Sequence, residues 1–472
     1  MKLNFFVPTR IIMDIDCVAK NADSIASLGN NVFIVTGAQS SRDNGSLVDL
    51  CKTLSANGQS YVLFDKVMSN PTIDCVYEGA ALAKNTAADC VIAVGGGSPM
   101  DAAKVIALLA CEDIPREKLF AGEYKKRLPL CCVPTTAGTG SEVTQYAILT
   151  NDAAQTKTSL ASPLLFPDLS LLDSKYLSFA SKNVMTNTVI DAFSHSVEGY
   201  LSVRANAISD VLALEAIAVI SGLFSAIADW NLTDGDREKL LYASALGGMV
   251  IAHTGTTAVH SMGYSLTYFK NIDHGRANGL LLGEFLKFVE EKRPDRIAPI
   301  IKAAGFCSTY ELGEVLDKLL GKREEVEPDE VEKFSAISIK AKNIPNCIVV
   351  PDEADLINLY RLSVPSRILR KFISSLSRKH VNQRYNPTSC RNSPGVSCSY
   401  TFCCPIECLL HGGAGRKLAS ALNCRQEKFR RLLFAFEFLG LGARSHCWYG
   451  FLSNVLMESP YKSVFLLCWL PL

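Results

Sequence analysis

Four short apolar runs with no polar alternation recur through the first 136 residues: NVFIVTG (31–37), YVLFD (61–65), DCVIAVGGG (89–97) and LPLCCVPTT (128–136). A strand buried on both faces reads this way, whereas a half-exposed strand alternates. Between the runs lie segments of helical period: SLVDLCKTLSANG, residues 72–88, and PMDAAKVIALLACE. Strand and helix in alternation predict a parallel, doubly wound α/β sheet with helices on both faces. Residues 3–15 alternate loosely and carry a proline, which fits an edge strand or hairpin. From about Phe179 the texture changes. Apolar-periodic segments follow one another over 180–202, 205–229, 236–253, 256–268, 277–292 and 294–304, then more weakly to about 364, and strand signals nearly vanish. This predicts an all-α second domain, with the boundary at 178/179.

Sheets of the first kind bind nucleotides at the carboxyl ends of their strands, and two loops there have the right chemistry. In VIAVGGGSPMDAAK, Gly95, Gly96 and Gly97 let backbone N–H groups approach an anion at a helix start. Ser98 is placed to cap that helix, with Pro99 and Asp101 in its first turn and Lys104 on the same face as Asp101. In VPTTAGTGSEVT, the hydroxyls of Thr135, Thr136, Thr139 and Ser141 can line a nucleotide. Either loop alone is as readily a tight turn or a polar crossover; the two together are a better signal. Residues 1–178 therefore read as a Rossmann-like, dinucleotide-binding domain. Many nucleotide folds place a carboxylate at the end of an early strand to hold the ribose 2′-hydroxyl. Here Gly37 stands there, followed by Ser40, Ser41 and Arg42. That invites a 2′-phosphate and favours NADP(H) over NAD(H).

The helical half carries a different chemistry. Asp191 and His195 are four apart in DAFSHSVEGY, so they share one helix face. His260 closes IAHTGTTAVH, and His274 follows in NIDHGRANG. One carboxylate and three imidazoles suit iron(II), zinc or cobalt better than magnesium or calcium. The blander reading of any one of these histidines is a satisfied core or surface residue. Their company argues otherwise, and residues 179–364 read as a metal-binding domain.

Charge divides the chain. The whole carries +1, but residues 365–472 hold 15 Lys and Arg against 4 Asp and Glu, a surplus of 11 that leaves residues 1–364 at −10. An acidic body is not a nucleic-acid binder. The start lacks the apolar core of a signal peptide, and no apolar run is long enough for a membrane span. Nine of the 17 cysteines are scattered before residue 365 without metal-type spacing, as expected of reduced thiols in a cytoplasmic protein. The remaining eight lie in the tail, four of them in CSYTFCCPIEC. That tail reads either as a metal-binding or redox appendage or as an appended or misread segment without an evolved fold. The second reading is preferred, because no period persists there.

GGGSPMDAAK, PTTAGTGSEVT, DAFSHSVEGY, GTTAVHSMGY and the HGRANG turn, in this order, resemble the iron-containing (group III) alcohol dehydrogenases, and most closely their NADP-dependent 1,3-propanediol- and butanol-dehydrogenase-like branch. The resemblance covers about residues 1–364. It implies the dehydroquinate synthase-like fold of that family: an α/β N-terminal Rossmann-like domain, an all-α C-terminal domain, and the active site in the cleft between them. It further implies iron(II), with zinc as the alternative, and reversible oxidation of a small primary alcohol to its aldehyde by NAD(P). Metal ligands fall on Asp191, His195, His260 and His274. The pyrophosphate loop falls on Gly95, Gly96, Gly97 and Ser98, and further cofactor contacts on Asn70, Thr135, Thr136, Thr139, Val143 and Lys157. Many members carry a second histidine four residues after the third ligand; this chain has Tyr264, which with His274 becomes the candidate for proton transfer. His253 stands where relatives more often have Asn or Gln, and packing is its expected role. Relatives are often dimers or larger, so a homo-oligomer is expected.

Rival readings share parts of this pattern. A zinc polyol dehydrogenase of the glycerol type would use the same fold. A dehydroquinate-synthase-like lyase would want a basic pocket that residues 250–280 do not supply. A metal hydrolase would use the four ligands to activate water but has no use for the two nucleotide loops. A non-catalytic remnant conflicts with an intact ligand set.

Overall fold

The computed structural model describes residues 3–366 of the 472. Six parallel strands form one sheet: β1 (Arg10–Met13), β2 (Asn31–Thr36), β3 (Ser60–Phe64), β4 (Cys90–Gly95), β5 (Leu130–Pro134) and, after an excursion, β8 (Leu169–Leu172). Their order is β1-β8-β5-β4-β2-β3. All of β4, β5 and β8, and five of six residues of β2, are buried. Of the four apolar runs, three are the central strands β2, β4 and β5; YVLFD is the edge strand β3, and the buried strand β8 was not expected. β3 stands at one edge with a single buried residue, Phe64, and β1 closes the other.

Helices cover both faces. On one side α2 (Ile73–Asn85) and α3 (Gly97–Cys111) pack on Phe33, Val35, Val91 and Cys132; on the other, α1 (Ser46–Ala56) packs on Val32, Ile34, Ile92 and Val133. The alternation of side chains along each strand feeds both cores. Gly95 pairs with Pro134 and Thr36 with Val94. The carboxyl ends of β2, β4 and β5 therefore lie side by side, and the loops that follow them converge.

Three local expectations need correction. Helix α3 begins at Gly97 with Gly96 as its cap residue, so Ser98 lies inside the helix and caps nothing. Its hydroxyl instead accepts from the Asn70 backbone N–H at 3.1 Å. Asp101 is consequently the fifth helical residue, beyond the first turn. The third difference is a two-stranded antiparallel excursion, β6 (Tyr146–Asn151) with β7 (Thr156–Ala161), where no strands were expected. It carries Lys157 out of the sheet and over the cleft.

Beyond Leu177 the described chain is helical: α4 (Lys182–Tyr200), α5 (Ala207–Ser221), α6 (Asp234–Thr254), α7 (Ala258–Lys270), α8 (His274–Glu290), α9 (Pro294–Ala304), α10 (Thr309–Leu320), α11 (Pro328–Ser338) and α12 (Glu353–Ser363). The expected segment 205–229 is two helices, since α5 ends at Gly222. Side chains name the starts. Ser181 caps α4, and capping boxes open α5 (Asn206/Ser209), α6 (Thr233/Asp236) and α12 (Asp352/Asp355). Helix α4 is the axis of this region, packed against α5, α6 and α8 and buried at nearly every position from Met185 to Tyr200. A helix buried all round is expected to be apolar; the polar residues it does carry therefore need partners. The Cys-rich stretch from residue 365 lies, but for its first two residues, outside the described residues. Among the described residues no helix is long and apolar enough to cross a membrane.

Candidate metal and cofactor cleft

Asp191, His195 and Glu198 share one face of α4, at spacings of four and three residues. Helix α7 brings His260 and, one turn on, Tyr264; α8 opens with His274 and carries Asn278 one turn on. Gly275 makes this meeting possible. A Cβ there would lie 1.9 Å from the Asn187 carbonyl oxygen and 2.8 Å from the Asp191 Cβ. Only a glycine lets the start of α8 come this close to α4.

The four ligand candidates converge. Asp191 Oδ1 stands 4.0 Å from His195 Nε2, 3.7 Å from His260 Nε2 and 3.9 Å from His274 Nε2. The tightest group is Asp191, His195 and His260, whose ligating atoms all lie within 4.8 Å of one another. A tetrahedral ion with bonds of about 2.1 Å has edges of about 3.4 Å, so the set is slightly open around an ion-sized space. Burial keeps the His195 ring below its ordinary range and the His274 ring well below it; both are held neutral, with lone pairs free for a metal. His195 Nδ1, His274 Nδ1 and Asn278 Oδ1 are buried without a hydrogen-bond partner. Asn278 Nδ2 faces the cluster, 2.9 Å from Asp191 Oδ1 and 3.1 Å from His260 Nε2. The donor set fits a borderline divalent cation.

Two residues of this centre were not expected. Glu198, fully buried, accepts from His260 Nδ1. Asn278 bridges Asp191 and His260. A signal existed for each: Glu198 is seven residues after Asp191, and Asn278 four after His274, so both stand on ligand-bearing faces.

The cluster opens on a cleft of about 1040 Å³. Gly37, Ser40, Asn70, Gly96, Gly97 and Ser98 line one part of it, and Asp101, Thr136, Thr139, Ser141 and Lys157 another. The two nucleotide loops touch: a Cβ on Gly97 would lie 2.5 Å from Thr139 Cγ2, and one on Gly96 3.0 Å from Thr136 Oγ1. Four expected contacts lie elsewhere. Ser41 is fully buried and its hydroxyl accepts from Thr36 Oγ1 at 2.7 Å, which holds the turn after β2. Gly95, at φ +148°, sits in the strand end against Pro99. Thr135 is buried behind the glycine loop, donating its backbone N–H to the Gly95 carbonyl. Val143 packs against Gly248 of α6.

Asp101 and Ser141 reach the cleft, but their polar atoms are already used. Ser141 Oγ donates to Asp101 Oδ1 at 2.6 Å, and Asp101 Oδ2 accepts from the Ile148 N–H at 3.0 Å. Lys104 lies beneath, wholly buried, donating to Ser141 Oγ (2.8 Å), the Thr144 carbonyl (2.9 Å) and the Tyr146 carbonyl (2.7 Å). Arg42 pairs with Asp65 at 2.7 Å rather than lining the cleft. His253 has both ring nitrogens engaged: Nε2 accepts from the Phe6 N–H and Nδ1 faces the Met249 carbonyl, each at 2.8 Å. Its ring stacks on Phe5. It pins the segment before β1.

Tyr264 stacks on the His274 ring at 5.4 Å between centroids, and the Lys157 ammonium lies 5.6 Å over the Tyr264 ring. Burial, then the Asp191 charge, raises the Tyr264 hydroxyl. Burial lowers Lys157 to about 8, against the pull of Asp191 and Asp101.

Residues 8–174 match the family model described as iron-containing alcohol dehydrogenase, and residues 185–362 match that of the Fe-containing alcohol dehydrogenase family, C-terminal. The chain is 33% identical over 292 residues to alcohol dehydrogenase 4 of Schizosaccharomyces pombe, covering 60% of this chain and 68% of that one. It is 29% identical over 357 residues to choline dehydrogenase of Bacillus subtilis, covering 71% and 89%. Among solved structures, an iron-containing alcohol dehydrogenase from Thermotoga maritima is similar with a TM-score of 0.72 at 37% identity, over 76% of this chain and 99% of that one. A 1,3-propanediol oxidoreductase gives 0.72 at 26% identity, over 77% and 100%.

Proposed function

The chain belongs to the iron-containing alcohol dehydrogenase family and is a metal-dependent alcohol/aldehyde oxidoreductase; within that activity we propose that Asp191, His195, His260 and His274 hold iron(II) and that the cleft takes NADP(H) in preference to NAD(H). The observation that carries the reading is the convergence of three imidazole Nε2 atoms on one Asp191 oxygen, at 3.7 to 4.0 Å, in a cleft that two glycine-rich loops also line.

When bound, a divalent ion supplies a Lewis acid for the substrate oxygen and a nicotinamide supplies or accepts the hydride. The chain's own residues do the rest. His195 and His274, kept neutral by burial, offer lone pairs without first losing a proton. Gly96, Gly97 and the N-terminal N–H groups of α3 receive the cofactor's phosphates. Tyr264, its hydroxyl raised by burial and by Asp191, keeps its proton and acts as a hydrogen-bond donor beside the substrate rather than as a base. Lys157, on the excursion, stands over Tyr264 and completes the wall. The substrate is a small primary alcohol or aldehyde.

Cofactor preference has its own test. A Cβ on Gly37 would come no closer than 3.4 Å, to the Val67 carbonyl oxygen, so Asp fits there sterically. Gly37→Asp places a carboxylate against a 2′-phosphate, and the expected result is a fall of roughly tenfold or more in the preference for NADPH over NADH, about 1.4 kcal/mol. The ratio of kcat/KM values reads it; an unchanged ratio removes Gly37 from the argument.

Metal identity is tested by titrating chelator-stripped full chain, without oxygen, with iron(II), zinc and magnesium. Iron(II) and zinc are expected to bind in a one-to-one ratio and magnesium not at all, with iron(II) the ion that restores aldehyde reduction. Restoration by zinc alone would turn the reading to the polyol-dehydrogenase type, and tight magnesium binding would contradict the ligand set.

A further inference from the structure

One buried carboxylate beside the metal ligands is not accounted for by ligation. Glu198 is fully buried on α4, three residues after His195. Its two oxygens do different things. Oε1 accepts from the Thr257 backbone N–H at 2.9 Å, from Thr257 Oγ1 at 2.7 Å and from the His260 backbone N–H at 3.3 Å. Oε2 takes His260 Nδ1. Thr257 makes no side-chain cap of its own at the start of α7. Two backbone N–H groups at the start of that helix, those of Thr257 and His260, are thus satisfied by a carboxylate from α4, where a negative charge is favoured by the helix dipole.

We propose that Glu198 is a positioning residue: it fixes His260 in the tautomer with the proton on Nδ1, leaving Nε2 bare toward Asp191, and it locks the start of α7 to α4. This rests on the reading of His260 as a metal ligand. A neutral imidazole has one bare nitrogen, and which one is bare depends on the partner of the other. Glu198 is acceptor-only when ionised, so the nitrogen that faces it must carry the proton. Nε2, 3.7 Å from Asp191 Oδ1, is then the lone-pair side. The same carboxylate would add a second negative charge near a bound divalent ion, beside that of Asp191. On this one helix, Asp191 and His195 would hold a bound ion, and Glu198 aims the ligand that α7 supplies.

Glu198→Gln separates aiming from packing, because it changes no volume. An amide has one acceptor oxygen and one donor group. Four donors face the site, and the two backbone N–H groups cannot change role; the imidazole can. The amide therefore turns its oxygen to Thr257 and its NH2 to the ring. Nδ1 becomes an acceptor, the proton moves to Nε2, and that nitrogen must give the proton up before it binds a metal. The expected loss is roughly 10–100-fold in zinc affinity, the range for a lost orienting partner. Thr257→Val removes one capping bond and leaves the ring bond, so its zinc affinity is expected to match that of the unmodified chain.

The experiment is chelator-competition measurement of zinc affinity on the full chain, unmodified and with each substitution, together with ring 15N spectra of the histidine-labelled, zinc-loaded unmodified chain. Expected are the loss in Glu198→Gln alone and, in the unmodified chain, a solvent-protected proton on His260 Nδ1. Equal zinc affinity in Glu198→Gln overturns the inference, and so does an equal loss in Thr257→Val, which would make helix capping the whole effect. Should Glu198→Gln fail to fold, the spectrum of the unmodified chain decides alone: a His260 Nδ1 without a proton overturns the inference. An unmodified chain that binds no zinc overturns the ligand reading beneath it.

Discussion

Asp191→Ala is expected to leave the purified protein without bound metal and to lower kcat/KM for aldehyde reduction by about 10³-fold. Asp191 Oδ1 lies within 4.0 Å of all three imidazole Nε2 atoms, and it is the one anionic residue of the proposed ligand set. Three neutral imidazoles would have to hold a dication in a buried cluster with no charge of their own. Its loss also strips Asn278 Nδ2 of its 2.9 Å acceptor, so the amide that bridges Asp191 and His260 is left half-satisfied. A bound Lewis acid is worth several kcal/mol to the reaction; about 4 kcal/mol corresponds to the factor of roughly 10³. Metal content by elemental analysis and kcat/KM, measured on the same sample, check both halves. Full metal with full activity would remove Asp191 from the centre.

The second large effect is on stability. Lys104→Met is expected to destabilise the protein by about 3–5 kcal/mol, the range for breaking a buried charge pair from one side, and to lower Tm by roughly 6–10 °C. Lys104 has no exposure, and its ammonium is surrounded by Ser141 Oγ, the Thr144 carbonyl and hydroxyl, and the Tyr146 carbonyl. Burial pushes the ammonium down and the Asp101 carboxyl up, and each offsets the other through Ser141. Methionine fills the space but leaves two carbonyls without donors and a carboxylate without its cation. The same loop, from Thr139 to Tyr146, lines the cleft, so the KM for NADPH should rise as well. Calorimetry reads the stability. Adding Asp101→Leu should recover part of the loss, because the two residues are coupled; strictly additive losses would contradict the network.

How much of this was legible in the chain depends on which forces wrote it. β2, β4 and β5 stood out because burial on both faces demands unbroken apolar runs, and Gly95 and Pro134 mark where they end together. The ligands stood out because a helix repeats every 3.6 residues, so Asp191 and His195 cannot help sharing a face. Within the excursion β7 was hidden by its polarity: TKTSLA is half-exposed, and it pairs only with β6. Ser98, Asp101 and Ser141 were read by their closeness to the glycine loops. Closeness cannot tell a side chain that meets a ligand from one that holds the loop in place. Lys104 holds Ser141 from beneath, and a fully buried lysine is not something a hydrophobic helix pattern announces. Glu198 was hidden for a related reason. On a helix buried all round, the spacing from Asp191 puts a carboxylate on the right face, but its role shows only once its partner in a different helix is known to be the His260 ring.

Hydride transfer on small aldehydes by the proposed ligand set and the glycine-lined cleft beside it is tested most directly by anaerobic oxidation of NADPH and of NADH by the full chain with butanal, with and without added iron(II). Iron-dependent turnover that prefers NADPH is expected. Metal-loaded protein that turns over neither cofactor would contradict it.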